Sequence, residues 1–132
     1  MDPSLHAIHV ELTPGIRVRG GPDGSFRYAG LLPFAYGHLP GNPAPDGSDA
    51  DVVVLGLPTR AGERIALPIW GAVAFIDGGV PDDKWVAAPW PPSRAARTAL
   101  VAWFRAFALA KRLGRLGRGG PTRCLGWRAG GP

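Results

Sequence analysis

Asp46-Gly47-Ser48-Asp49-Ala50-Asp51-Val52-Val53-Val54-Leu55 carries three carboxylates through a glycine turn and straight into an unbroken β-branched run. A run of that kind, short and bounded by turn residues, is a buried strand. A second one, Ala72-Val73-Ala74-Phe75-Ile76, follows Arg64 to Pro68 and ends on Asp77. Outward from these two, Leu5 to Leu12 places His6, Ile8, Val10 and Leu12 on one parity, as a strand does, and Pro14-Gly15 stops it. Ile16 to Arg19 and Ser25 to Tyr28 are short extended pieces on either side of a Gly/Pro/Asp turn cluster. Residues 30 to 50 are too rich in proline and glycine for a helix. Lys84 to Ala88 makes another short strand, closed by Pro89-Trp90-Pro91-Pro92.

Ser93 offers an N-cap, and from Arg94 to Leu113 the residues Leu100, Trp103, Phe104, Phe107 and Leu113 recur at helical spacing. Beyond that, Gly114 to Pro132 is rich in Gly and Arg and reads as a mobile or loosely docked tail. Short strands followed by one long helix predict a mainly β, α+β fold: a small twisted barrel or sheet with a helix laid across it. The expected division is residues 1–113 for barrel and helix and 114–132 for the tail. A chain of 132 residues has room for one domain of ordinary size.

Charge is distributed unevenly. All ten acidic residues lie at or before Asp83 with five arginines, whereas the chain from Lys84 onward holds ten basic residues and no acidic one. The two parts therefore carry −5 and +10. A basic tail commonly serves nucleic acid, and the same asymmetry suits an acidic metal site with its counter-charge elsewhere. No apolar stretch is long enough for a membrane span, and Met1-Asp2-Pro3-Ser4 lacks the basic-then-apolar build of an export signal. One cysteine, Cys124, makes no internal disulfide. The expected location is the cytoplasm, with no membrane partner.

Taken alone, the aspartates of residues 46–51 suit an ordinary polar turn. The second group, Asp77, Asp82, Asp83 and Lys84, changes the weighing, because carboxylates at the ends of adjacent buried strands would converge on one mouth of a barrel and require a counter-ion. Oxygen-only ligands on loops favour Mg²⁺, held by a few carboxylates, waters and phosphate oxygens. His6 and His9 lack a third ligand to complete a metal set, and a solvated loop position suits His38 as well as one lining a site. The five tryptophans read as core or barrel-lining residues before stacking platforms.

The blocks Leu32-Pro33-Phe34-Ala35-Tyr36-Gly37-His38-Leu39-Pro40-Gly41, Asp46 to Leu55, and Gly71 to Ile76 with Asp77, Asp82, Asp83, Lys84 and Trp85-Val86-Ala87 resemble the soluble (family I) inorganic pyrophosphatases. The resemblance runs from about Leu32 to Ala88. It implies an OB-like five-stranded β-barrel with a flanking helix, a homo-oligomeric state in the family's manner, and Mg²⁺-dependent hydrolysis of pyrophosphate to two phosphates. Carried over by position, it implies Asp46, Asp51, Asp77 and Asp82 as metal ligands, Lys84, Arg27 and Arg17 on phosphate oxygens, and Tyr36 ordering the attacking water and the phosphate. Glu11 falls where the family has a site-lining glutamate. Ser48 stands where the family has an aspartate serving the nucleophilic water, with Asp49 as its nearest substitute. Leu32, Ala35 and Arg19 also depart from the pattern, and Phe107-Ala108 replaces a phosphate-gripping Tyr-Lys pair, with Lys111 about one turn on. The alternative expectation is a non-catalytic protein of this fold that binds phosphate compounds or nucleic acid through its basic C-terminal half.

Overall fold

The computed structural model describes residues 4–20, 26–115 and 120–132, with the side chains of 15–20, 26–31 and 114–115 outside the description. Its strands are β1 (Leu5–Leu12), β2 (Gly15–Gly20), β3 (Phe26–Leu32), β4 (Ala35–Pro43), β5 (Asp49–Val54), β6 (Arg64–Asp77), β7 (Val80–Pro81), β8 (Lys84–Ala87) and β9 (Arg123–Ala129). One helix, α1 (Arg94–Arg115), lies between β8 and β9 in the chain. β1 pairs with β4, β4 with β5, β5 with β8 and β8 with β6, and β6 returns to β1. These pairings close a five-stranded, OB-like barrel, mainly antiparallel, with β5–β8 as its parallel contact. β7 and β9 extend β6 beyond the barrel, and β2–β3 form a separate hairpin.

Two apolar clusters sit on opposite sides of the barrel wall. Ile8, Val10, Ala35, Leu39, Val52, Val54, Leu67 and Ile69 fill the interior. Phe34, Val53, Val73, Phe75 and Val86 line the outer wall and meet Leu100, Val101, Phe104 and Ala108 of α1. Alternate residues of β5 thus serve both clusters, which explains its continuous β-branched sequence. Within the outer cluster Phe104 contacts the rings of Phe34, Phe75, Trp103 and Phe107. Leu113, expected on this stripe, is 61% exposed instead; the apolar face of α1 has ended before it.

A change of register between Ile69 and Gly71 opposite β8 is decisive for β6. Leu67 and Ile69 point into the barrel, and an extra residue in the strand turns Val73 and Phe75, of the same sequence parity, to the outer wall. The irregularity between Val10 and Leu12 does the same for β1, whose Leu12 packs with the outer cluster. The segment 35–43, read only as non-helical, is strand β4. Gly37 permits it, since a Cβ there would fall 2.0 Å from the His9 carbonyl oxygen.

The C-terminal stretch differs from the expected tail. Arg123–Ala129 is a strand docked along Gly71–Ile76 of β6, with Trp127 packed at the outer cluster. At Gly71 an added Cβ would lie 2.4 Å from the Trp127 ring, so glycine is what lets β9 approach. Among the described residues no helix is long and apolar enough to cross a membrane.

Candidate active site

β5 and β8 run side by side with Val52 opposite Trp85, which brings Asp51 and Lys84 to the same level of the sheet. Their neighbours Val52 and Trp85 face the barrel interior, so Asp51 and Lys84 face outward, beside the cluster under α1. The carboxylates therefore gather on the outer wall of the barrel and not inside a mouth. Lys84 Nζ donates to Asp51 Oδ2 at 2.7 Å and to Asp82 Oδ2 at 2.8 Å. The ammonium also sits 5.9 Å from the ring centre of Tyr36 and 5.4 Å from that of Phe75. The Tyr36 hydroxyl interacts with both Lys84 and Asp51.

This is a buried charge set, and Lys84 is only 5% exposed. Burial alone would push the lysine toward its neutral form, but Tyr36, Asp51 and Asp82 around it hold the ammonium charged and well above its ordinary range. Burial raises Asp82, with Asp51 adding to the rise and Lys84 opposing it. Burial likewise raises the Tyr36 hydroxyl far above the usual phenol range, so it stays protonated and able to donate. One cation serving two carboxylates leaves a net negative centre, open to a second cation.

Asp77 shares its sequence parity with Val73 and Phe75, past the bulge, and so belongs to this outer face. Lys111 of α1 donates to its Oδ2 at 2.7 Å, and Thr122 Oγ1 lies 3.4 Å from Oδ1 while accepting the Gly78 amide at 3.0 Å. Asp46 remains in the β4–β5 turn, where its Oδ1 accepts the Ser48 amide at 3.0 Å. Asp49 Oδ2 lies 3.9 Å from His38 Nε2, whose other nitrogen is 2.9 Å from Glu11 Oε1. Asp83 turns away from Lys84: it accepts the Phe75 amide at 3.2 Å and pairs with Arg128 of β9. Arg17 and Arg27 lie on β2 and β3, their side chains outside the described residues.

The structure thus gathers Tyr36, Asp51, Asp82 and Lys84 into one centre. Asp77 stands on the same face with its own lysine, and Asp46 and Asp49 stand in or next to the β4–β5 turn. Phe75, Thr122 and the Glu11–His38 contact depend on strand pairing and on β9, which the linear sequence does not display. Among the described residues no three His, Cys, Asp or Glu side chains converge on a point where they could hold a metal ion. A nearby cleft of about 360 Å³, with Pro33, Phe34, Leu55, Leu57 and Pro58 in its lining, contains no ionisable group to hold phosphate.

No protein-family model matches the chain, and no curated protein matches its sequence. Solved structures do match in shape. An inorganic phosphatase from Anaplasma phagocytophilum superposes with a TM-score of 0.71 at 18% identity, over 96% of this chain and 85% of its own. Inorganic pyrophosphatases from Helicobacter pylori (TM-score 0.72, 16% identity, 97% and 86% covered) and Coxiella burnetii (0.69, 17%, 98% and 88%) match equally fully. With its closed barrel, flanking helix and outward-facing acidic centre, the chain has the fold of the soluble inorganic pyrophosphatases.

Proposed function

We propose that this protein hydrolyses inorganic pyrophosphate to two phosphates with the help of Mg²⁺. The observation that carries the proposal is the Lys84 centre: a buried ammonium clamped by Asp51 and Asp82 beside the Tyr36 hydroxyl, on a fold that solved pyrophosphatases share. The donor chemistry fits the metal. Mg²⁺ usually keeps several waters and takes one or two carboxylates plus phosphate oxygens, and Asp51 and Asp82 are such a pair of hard oxygen donors. Asp77 and Asp46 complete the proposed ligand set. When bound, the metal lowers the pKa of a coordinated water and neutralises phosphate oxygens.

The chain's own residues do the remainder. Lys84, kept cationic by its surroundings, offsets charge on a phosphate oxygen and keeps Asp51 and Asp82 in register. Tyr36, kept protonated, donates a hydrogen bond to a phosphate oxygen or the incoming water. Arg17 and Arg27 are proposed to hold the distal phosphate. Ser48 offers no carboxylate to accept a proton, so Asp49 takes that role in the proposal, and turnover is expected to be slow for the fold.

Phosphate release from pyrophosphate with and without Mg²⁺ tests the reading directly. Asp51→Asn should lower metal affinity and turnover together, with partial rescue at high Mg²⁺. Ser48→Asp should raise the Mg²⁺-dependent rate about a hundredfold, the usual scale of general-base assistance. A wild-type rate equal to that of Asp51→Asn at both limiting and saturating Mg²⁺ would transfer the case to a non-catalytic, phosphate-binding protein.

A further inference from the structure

α1 contains no acidic residue anywhere, so its cations have no partner of opposite sign along the helix. Arg94 and Arg112 are separated by about five full turns, and Arg105 falls within about 20° of the line joining them. All three are exposed, and among the described residues none makes an ion pair. They form a stripe about 27 Å long.

The stripe runs along the flank of the helix next to β9. Arg97 lies over the ring of Trp127 at 5.7 Å, the Val101 carbonyl faces Cys124 Sγ at 3.9 Å, and Arg105 Nη2 is 4.0 Å from the position of a Cβ on Gly126. At the N-terminal end of the helix, Trp90 is 65% exposed, although an indole is ordinarily a core residue. It stands four residues before Arg94. Arg94 itself occupies the first turn, where the helix dipole disfavours a cation, so an anion there would relieve an unfavourable local field.

A row of unpaired guanidinium groups with an exposed aromatic ring at one end is complementary to a charged strand that also carries flat bases. We propose that the α1–β9 flank, from Trp90 through Arg94 and Arg105 to Arg112, binds single-stranded nucleic acid, with the arginines on the phosphates and Trp90 stacked on a base. The site is separate from the Lys84 centre and independent of pyrophosphate hydrolysis.

Fluorescence anisotropy of the full chain with a labelled oligouridine of about a dozen nucleotides tests this. Three phosphate contacts predict that log Kd rises with log salt concentration with a slope of about 2, and Arg105→Ala should reduce that slope by about 0.7. Trp90→Ala should weaken binding about five- to a hundredfold and leave the slope unchanged. Arg64→Ala, which removes an exposed cation from the β1-paired end of β6, should change neither. Equal losses from Arg64→Ala and Arg105→Ala would overturn the proposal in favour of diffuse attraction to net charge. Inorganic polyphosphate that competes as well as oligouridine at matched charge, with no effect of Trp90→Ala, would overturn the assignment to a base-bearing strand. Circular dichroism of each variant, all altered at exposed side chains, verifies that the fold is intact.

Discussion

Lys84 shows how one residue can be indispensable without adding net stability. Taking an ammonium and two carboxylates out of water costs several kcal/mol per ion, and their attraction offsets that cost only while all partners are present. Lys84→Met should therefore destabilise the protein by about 3–5 kcal/mol in urea unfolding at neutral pH, because Asp51 and Asp82 lose their cation. Adding Asp82→Asn to that variant should recover part of the loss. Asp82 in the parent has a second consequence. Since burial raises its folded pKa above the unfolded value, the native state holds this proton more tightly, and stability falls as pH rises from the ordinary carboxylate range through the raised value. Asp82→Asn should flatten that part of the curve of urea midpoint against pH. The motif residues of the centre, Tyr36, Asp51, Asp82 and Lys84, are legible in the linear order. Their separation from Asp83 is not: Asp82 turns to Lys84 while its neighbour ties β6 to β9, and only the backbone decides which carboxylate does which.

The elements were legible where one face of a strand alone is buried or both are apolar. β1 and β5 follow directly from Leu5–Leu12 and from Asp51-Val52-Val53-Val54. The run Ala72–Ile76 likewise lies within β6, but the bulge near Trp70 does not follow from the sequence, because it shifts the apolar residues from interior to outer wall without changing their parity. β4 was hidden by its prolines and glycines, and β9 by a composition that has apolar weight chiefly in Leu125 and Trp127. The docking of β9 rests on the missing side chain at Gly71. Gly71→Ala would press a methyl group into the Trp127 ring and the Arg128 carbonyl oxygen, 2.6 Å away. Overpacking of that kind should cost about 1–3 kcal/mol, measured as a lower urea midpoint. Phe104→Ala removes a side chain only 2% exposed from the outer cluster, and a loss of about 3–5 kcal/mol is expected.

Across the whole molecule, the acidic centre and the basic flank are held apart by the single layer of aromatic packing under α1. Lys111 of the helix turns to the acidic side, bonding Asp77, whereas the arginine stripe turns to β9. The β6 strand joins these regions. It pairs in turn with β1, β8, β9 and β7, and over Gly71–Val73 it is bonded on both edges at once, to β8 and to β9. Each backbone amide of that stretch donates to one edge only, so those bonded to β8 meet solvent deuterium when the barrel opens and those bonded to β9 when that outer strand undocks. Hydrogen exchange should find the β8-bonded amides of Gly71–Val73 among the last to exchange, at or near the rate of global unfolding, while the β9-bonded ones and the amides of β9 itself exchange earlier through undocking of that edge. β6 would then be the last part of the protein to remember its native partners as the molecule comes apart.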